Sequence, residues 1–405
     1  MIPFLRIAPT ITCDIFCRVV DNFGDIGVTW RLARQLSSEF ALQVRLIVDD
    51  LACFQKLAFE VDVNADSQCH DGVTILHWHE NLHLEPAQCV IEAFQCALPT
   101  SYINAMAAMT PSPVWLNLEY LSAEGWIGEH HLLPSPHPKT GLNKFFFFPG
   151  FRANTGGLIR EQSLLLQQQQ FQLQLEGKLE LGHQHEHEHE HEHEYEYEQK
   201  RVDKPVPTDV RPLKIFMFGY ENAALPALFK SIAQSWSHTI CTIPDGALAR
   251  QANALKMEAK VEVEEELKLQ VQTIKFQQQP EFDRLLWPQD VLFVRGEDSF
   301  VRAQWAAKPF IWQIYPQAER AHWLKLNAFL DLYCAELASD AAAAVRELHR
   351  VWNDEDIDAT GAAWQAFMRQ LGPLSKHALM WAQKLSGMPD LATQLMTFYA
   401  KTAKI

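Results

Sequence analysis

A chain of 405 residues that is 48% hydrophobic, with 24 Phe and 12 Trp, has the material for two sizeable cores, and two domains are expected. Its formal net charge of −15 falls to −8 without the seven glutamates at 186–198, which leaves no broad basic face for nucleic acid; no stretch reaches the roughly 18 uncharged apolar residues of a membrane span. Eight scattered cysteines with no CxxC pair, behind an N-terminus too weakly apolar for a signal peptide, read as reduced thiols in a cytoplasmic protein.

The first informative stretch runs from Cys13 to Leu36. An apolar run to Val20, broken by Asp14 and Arg18, turns through Asp21-Asn22-Phe23-Gly24-Asp25-Ile26-Gly27. It enters a helix whose apolar positions Val28, Leu32, Ala33 and Leu36 share one face. Strand, glycine loop and helix open a doubly wound α/β domain, in which ligands bind off the carboxyl ends of strands. Phosphate-cradling loops avoid carboxylates, yet this loop carries Asp21 and Asp25. The pair points to a cationic or proton-donating substrate; the plain alternative is a turn former (Asp21) and a helix cap (Asp25).

Strands are expected at Val44–Val48, Val73–Trp78, Cys89–Phe94, Val114–Leu121 and Lys144–Phe148, with spacings that suit βαβ units. Residues 161–175 read as a Gln- and Leu-rich helix, followed by His-Glu and then Tyr-Glu alternation over 183–199. That tract is either a solvated linker or, by its imidazole density, a metal binder; its interchangeable ligands favour the linker. A second α/β pattern starts at Leu213–Tyr220, with a helix at 225–236 and a strand at 239–244. Residues 247–272 read as one exposed helix or a loose insertion, and the last third is helical with an amphipathic final segment at 391–402.

A second strand–loop–helix junction lies at Val294 to Ala303. Arg295 and Gly296 follow a strand, and Asp298 or Ser299 can cap a helix starting near Phe300. Such a helix terminus beside an arginine is a diphosphate site, or else a capped helix whose Arg295 pairs with Glu297 or Asp298. Upstream, Phe276 and Phe282 flank Gln279, a possible nucleobase sandwich or simply core. Tyr315 ends another strand and offers a phosphate donor or a buried phenol.

These residues carry a resemblance. Asp14 to Gly27, Asn117-Leu118-Glu119-Tyr120-Leu121-Ser122-Ala123-Glu124, Phe148-Pro149-Gly150-Phe151, Thr155-Gly156-Gly157-Leu158, Phe218-Gly219-Tyr220-Glu221-Asn222, Arg295 to Gln304 and Ile314-Tyr315-Pro316-Gln317 resemble the bacterial protein-arginine rhamnosyltransferases of elongation factor P, the EarP family. The likeness covers the chain apart from about 176–210 and 250–272. It implies an α/β GT-B glycosyltransferase: two Rossmann-like domains facing a central cleft, cytoplasmic, metal-independent and without a cofactor. The expected boundaries are an acceptor domain at 1–151, a linker with the His/Glu insertion at 152–212, and a nucleotide-sugar domain at 213–387. A C-terminal helix at about 388–405 would pack back on the first domain. The donor implied is dTDP-β-L-rhamnose and the acceptor an arginine of elongation factor P, glycosylated with inversion.

By the same resemblance Asp21, Asp25 and Glu297 are the essential carboxylates. Phe276, Gln279 and Phe282 make the thymine pocket, and Phe218, Tyr220, Arg295, Asp298, Ser299 and Tyr315 surround the diphosphate and sugars. Two carboxylates suit a guanidinium, a poor nucleophile with a pKa above about 12, because they grip its fork and take its proton. Asp21 is expected as base with Asp25 orienting, or the reverse, and Glu297 holds a sugar hydroxyl or orients a neighbouring donor. The His/Glu tract departs from the family pattern. A transferase with a small-molecule acceptor, or a scaffold whose His tract handles metal, are the alternatives.

Overall fold

The computed structural model describes residues 11–20, 23–79, 82–185, 211–235, 238–258 and 268–403. Their first lobe is a sheet of β1 (Thr12–Cys17), β2 (Gln43–Val48), β3 (Ser67–His70), β4 (Val73–His77), β5 (Cys89–Ala93), β6 (Val114–Leu118), β7 (Pro134–Pro136) and β8 (Asn143–Phe147). The spatial order is 3-4-2-1-5-6-8-7, parallel except for β3 and β7, which pair antiparallel at the two rims. Mostly apolar runs make these inner strands: every residue of β5 and β6 is buried, Glu92 and Asn117 included, as a sheet covered on both faces requires. The covering helices are α1 (Phe23–Phe40), α2 (Leu51–Gln55), α3 (Thr100–Ala108) and α4 (Ile127–His130). Asp14, buried in the middle of β1, is tolerated because Arg45 grips it with two bonds of 2.6 Å and the Tyr102 hydroxyl and Ala87 amide also donate to it.

After α5 (Leu164–His185) comes the second lobe, with β9 (Leu213–Met217), β10 (Thr239–Pro244), β11 (Leu269–Ile274), β12 (Val291–Arg295) and β13 (Phe310–Gln313), all parallel in the order 11-10-9-12-13. Around it lie α6 (Leu225–Ser235), α7 (Ala247–Glu258), α8 (Gln279–Leu286), α9 (Asp298–Ala306), α10 (His322–Tyr333), α11 (Ser339–Asn353) and α12 (Ile357–Arg369). Phe293 on β12 packs against Trp352 and Trp364, ring centroids 5.0 and 6.2 Å away. The winding direction reverses between β1 and β5 in one sheet and between β9 and β12 in the other. Each reversal opens a crevice off the carboxyl ends of those strands, and the two crevices meet in one interlobe cleft. This is the GT-B arrangement.

Among the described residues two segments cross between the lobes. The first, 148–163, meets the second, between α13 (Leu371–Ser386) and α14 (Leu391–Thr402). Arg160 donates to the Ser386 carbonyl at 2.9 Å and the Leu391 amide to the Leu158 carbonyl at 3.0 Å. Gly157, with φ of +73°, must be glycine there: a Cβ would come within 2.5 Å of the Pro389 carbonyl oxygen. Asp390 caps α14 by accepting from the Thr393 amide. That helix lies on the first lobe, with Phe398 against Phe145 at 5.0 Å and Gln394 donating to the Thr155 carbonyl.

Some boundaries differ from the sequence reading. Phe23 to Gly27 form the opening turn of α1 rather than a loop, because Asp25 folds its carboxylate back onto the Val20 amide. Of residues 247–272, 259–267 lie outside the described residues; the rest are a packed helix, with Leu248, Ala249 and Ala252 buried, and the edge strand β11, where Leu269 to Gln272 alternates with period two. Gln279 to Leu286 is a helix opened by Pro280, and α9 starts at Asp298, two residues before Phe300. α5 continues past Leu175 into the start of the His run; the remainder of that tract, 186–199, lies outside the described residues. Among the described residues no helix is long and apolar enough to cross a membrane.

Candidate active site

Asp25 stands in the first turn of α1, only 1% exposed, with Oδ2 accepting from the Val20 amide at 2.8 Å. A carboxylate there is favoured by the free amides and the positive end of the helix. It lines a cleft of about 530 Å³ between the lobes, together with Phe94, Tyr120, Glu297, Tyr315 and Lys325. Glu297 comes from the opposite lobe, at the turn after β12, and its Oε2 accepts from the Leu121 amide at 3.0 Å. Acidic side chains of both lobes therefore face one cavity. Asp21 lies outside the described residues.

The neighbouring compartment is aromatic. The Arg295 guanidinium carbon sits 4.6 Å from the Phe218 ring centre, 4.5 Å from that of Tyr220 and 5.5 Å from that of Phe23. Its Nε finds no hydrogen-bond partner among the described residues. A buried guanidinium donor left open in this way marks a place for an anion. Phe218 packs edge-on against Phe282 at 5.3 Å, and Phe276 meets Phe218 at 6.1 Å. Phe276 also touches Phe23 of the first lobe at 5.5 Å. The gap among these rings is about 40 Å³. Beyond Phe276, off the ends of β9, β10, β12 and β13, a basin of about 890 Å³ opens beside Tyr220, Arg295 and Tyr315, with Lys56 and Arg250 at its edge. Tyr315, 40% exposed, lies edge-on to Tyr220 at 5.9 Å.

Three expected donor-site residues are occupied by protein partners. Gln279, 3% exposed, donates through Nε2 to the Gly27 carbonyl at 2.6 Å and to Asp298 at 3.2 Å, and accepts from Arg34 at 3.0 Å. Its backbone amide donates to the Leu57 carbonyl. Asp298 pairs with Arg302 at 2.9 Å and with Arg31 of the first lobe at 3.3 Å. Burial alone would raise its carboxyl, but the two guanidinium groups outweigh burial and hold it below the usual carboxylate range. The Ser299 hydroxyl turns back onto the Arg295 backbone, accepting from its amide and donating to its carbonyl. All three line the gap among the rings.

The sequence reading missed the ionic cluster behind this gap. Arg31, wholly buried, grips Glu161 with bonds of 2.6 and 2.7 Å, and Arg302 pairs with Asp283. Burial pushes Asp283 up. It works against Glu161 too, yet Arg31 and Arg302 bring that carboxyl down to about 2. Phe94 and Tyr120, on the wall of the acidic cleft, were missed as well; Tyr120 lay inside a matched motif, and nothing local marked Phe94.

A family model described as Elongation-Factor P (EF-P) rhamnosyltransferase EarP matches residues 13–400. The chain belongs to the EarP family. A protein-arginine rhamnosyltransferase of Pseudomonas putida is 44% identical over 394 residues, 96% of this chain and 98% of that one. Its counterpart from Neisseria meningitidis is 32% identical over 411 residues, 98% and 99% of the two chains. Among solved structures, one described as the structural basis for EarP-mediated arginine glycosylation of translation elongation factor EF-P superposes with a TM-score of 0.62 at 33% identity, covering 97% of this chain and all of that one. EarP membership and the two facing lobes make this chain a glycosyltransferase.

Proposed function

We propose that the enzyme transfers L-rhamnose from dTDP-β-L-rhamnose to an arginine side chain of elongation factor P in the cytoplasm, with inversion and without a metal ion. The observation that carries this reading is the junction of two compartments: an acidic cleft fed by both lobes, and beside it, among aromatic rings, an arginine whose Nε has no partner among the described residues. The first suits a guanidinium, the second a nucleoside diphosphate.

Asp25 is buried and tied to Val20, so it fits the role of orienting the guanidinium and the loop, which leaves Asp21 as the base. The guanidinium nitrogen attacks the anomeric carbon from the face opposite the diphosphate, the C1–O bond breaks as the C–N bond forms, and Asp21 takes the proton. One displacement turns a β-linked donor into an α-linked product. The negative charge left on dTDP falls to Arg295, to Tyr315 and to the amides opening α9. Glu297, bonded to the Leu121 amide, holds a sugar hydroxyl where it touches both lobes. Admission of thymine needs the Phe23–Phe276 contact and the Gln279–Gly27 bond to part.

Intact-mass analysis of elongation factor P after incubation with this protein and dTDP-rhamnose tests the reading. A gain of one deoxyhexose, localised to an arginine, is expected. An unmodified acceptor beside an enzyme that still binds dTDP would overturn the acceptor, and absence of dTDP binding would overturn the donor.

A further inference from the structure

We propose that the stacked rings of Phe94 and Tyr120 form a seat for the acceptor's guanidinium on the first-lobe wall of the acidic cleft. The assignment rests on the reading of an arginine acceptor given above. The rings lie 4.4 Å apart and within 17° of parallel, and both line the cavity that holds Asp25 and Glu297. Phe94 follows β5 and Tyr120 follows β6, neighbouring strands whose carboxyl ends open on the crevice.

The turn that presents Phe94 is built against backbone preference. Phe94, Gln95 and Ala97 all have left-handed φ, at 53°, 57° and 56°, without a glycine among them. Acidic side chains hold it in place. Glu119 accepts from Gln95 Nε2 at 3.0 and 3.2 Å, and Glu92 accepts from the Ala97 amide at 3.3 Å. Glu92 is braced in turn by Trp115 and Lys144, and the Phe94 amide donates to the Leu118 carbonyl at 2.7 Å. Phe94 and Tyr120 nevertheless remain half-buried, facing the cleft rather than filling the core. Strain of this kind persists where it serves a site.

The seat already attracts a cation. Lys325, reaching across from α10, places its ammonium 5.2 Å from the Tyr120 ring centre. A planar guanidinium stacks on such a ring at least as well as an ammonium and carries more donors toward the neighbouring carboxylates. The incoming arginine displaces Lys325 from the ring.

Initial rates with elongation factor P varied at saturating dTDP-rhamnose, alongside dTDP binding, test this in the full-length protein. Tyr120→Leu should raise KM for the acceptor by about five- to thirtyfold, with dTDP affinity within about twofold of wild type. Tyr120→Phe, which keeps the ring face, should recover most of that loss. Lys325→Met, which removes the competing charge, should lower the acceptor KM. An unchanged KM in Tyr120→Leu, a Phe variant as defective as the Leu variant, or a raised KM in Lys325→Met would each overturn the seat while leaving the transfer reaction standing. Should wild type fail to modify elongation factor P, the acceptor reading falls, and methylguanidinium binding by NMR decides the seat. Binding lost in Tyr120→Leu upholds it; equal binding, or none to wild type, removes it.

Discussion

Arg31 and Glu161 share a two-pronged ion pair, 2.6 and 2.7 Å long, that joins the first helix of one lobe to the segment leaving it. Asp298, on the other lobe, adds a third contact to the same guanidinium. Arg31→Met leaves Glu161 without its main countercharge in a mostly buried place and takes from Asp298 the weaker of its two guanidinium partners. Removing one partner of such a pair costs about 3–5 kcal/mol, and urea unfolding of the variant should show a loss on that scale. A loss below about 1 kcal/mol would mean that the pair is solvated.

The same pair sets a pH window. Glu161 is held down to about 2 from an ordinary value of 4.5, so the folded state binds its proton less readily than the unfolded chain does. Its contribution is fully present above about pH 4.5, declines as pH falls from there to about 2, and is absent below. Unfolding free energies of wild type and Glu161→Gln should therefore converge between those limits. Parallel curves across that range would refute the assignment.

Gln279 acts as a latch. It bridges the Gly27 carbonyl, Arg34 and Asp298 across the gap that thymine would enter in the proposed reaction. Arg34→Leu cuts one of these bonds from the first-lobe side. It should favour the open arrangement and tighten dTDP binding by about two- to fivefold in a fluorescence titration. Weaker binding in that variant would show that closure assists the nucleotide.

Base and anion site should separate kinetically. Asp21→Asn is expected to keep dTDP affinity near wild type while kcat falls by about 10²–10⁴. Arg295→Met should instead lose dTDP affinity by about tenfold or more, measured directly by titration. Asp21→Asn turning over at the wild-type rate would move the proton to another group.

The corner at Cys13 to Leu36 is readable from sequence because its signals are local: an apolar run, turn-forming residues and a 3.6-residue apolar repeat. Where α1 begins is not readable in that way, since a bond from the Val20 amide to Asp25 decides it. Pairing with β10 likewise makes Leu269 to Ile274 a strand, although its surroundings are polar enough to resemble a loose helix. At the site, the motifs locate Arg295 and Tyr220 on strand ends, and the resemblance places Phe276 in the pocket beside them. They say nothing of Phe23 closing on Phe276, because that contact depends on how two separately folded sheets meet. Arg31 and Arg302 look like ordinary solvated helix charges, and only the convergence of both lobes with the crossing segment buries them.

The return of α14 to the first lobe has a consequence for biosynthesis. Phe398 and the buried Tyr399 complete a wall whose other half, at Phe145, leaves the ribosome some 250 codons earlier. That half waits through synthesis of the entire second lobe with its apolar surface unsheathed. It is covered when α14 emerges, so a nascent chain stalled before Leu391 would remain a client for chaperones and proteases.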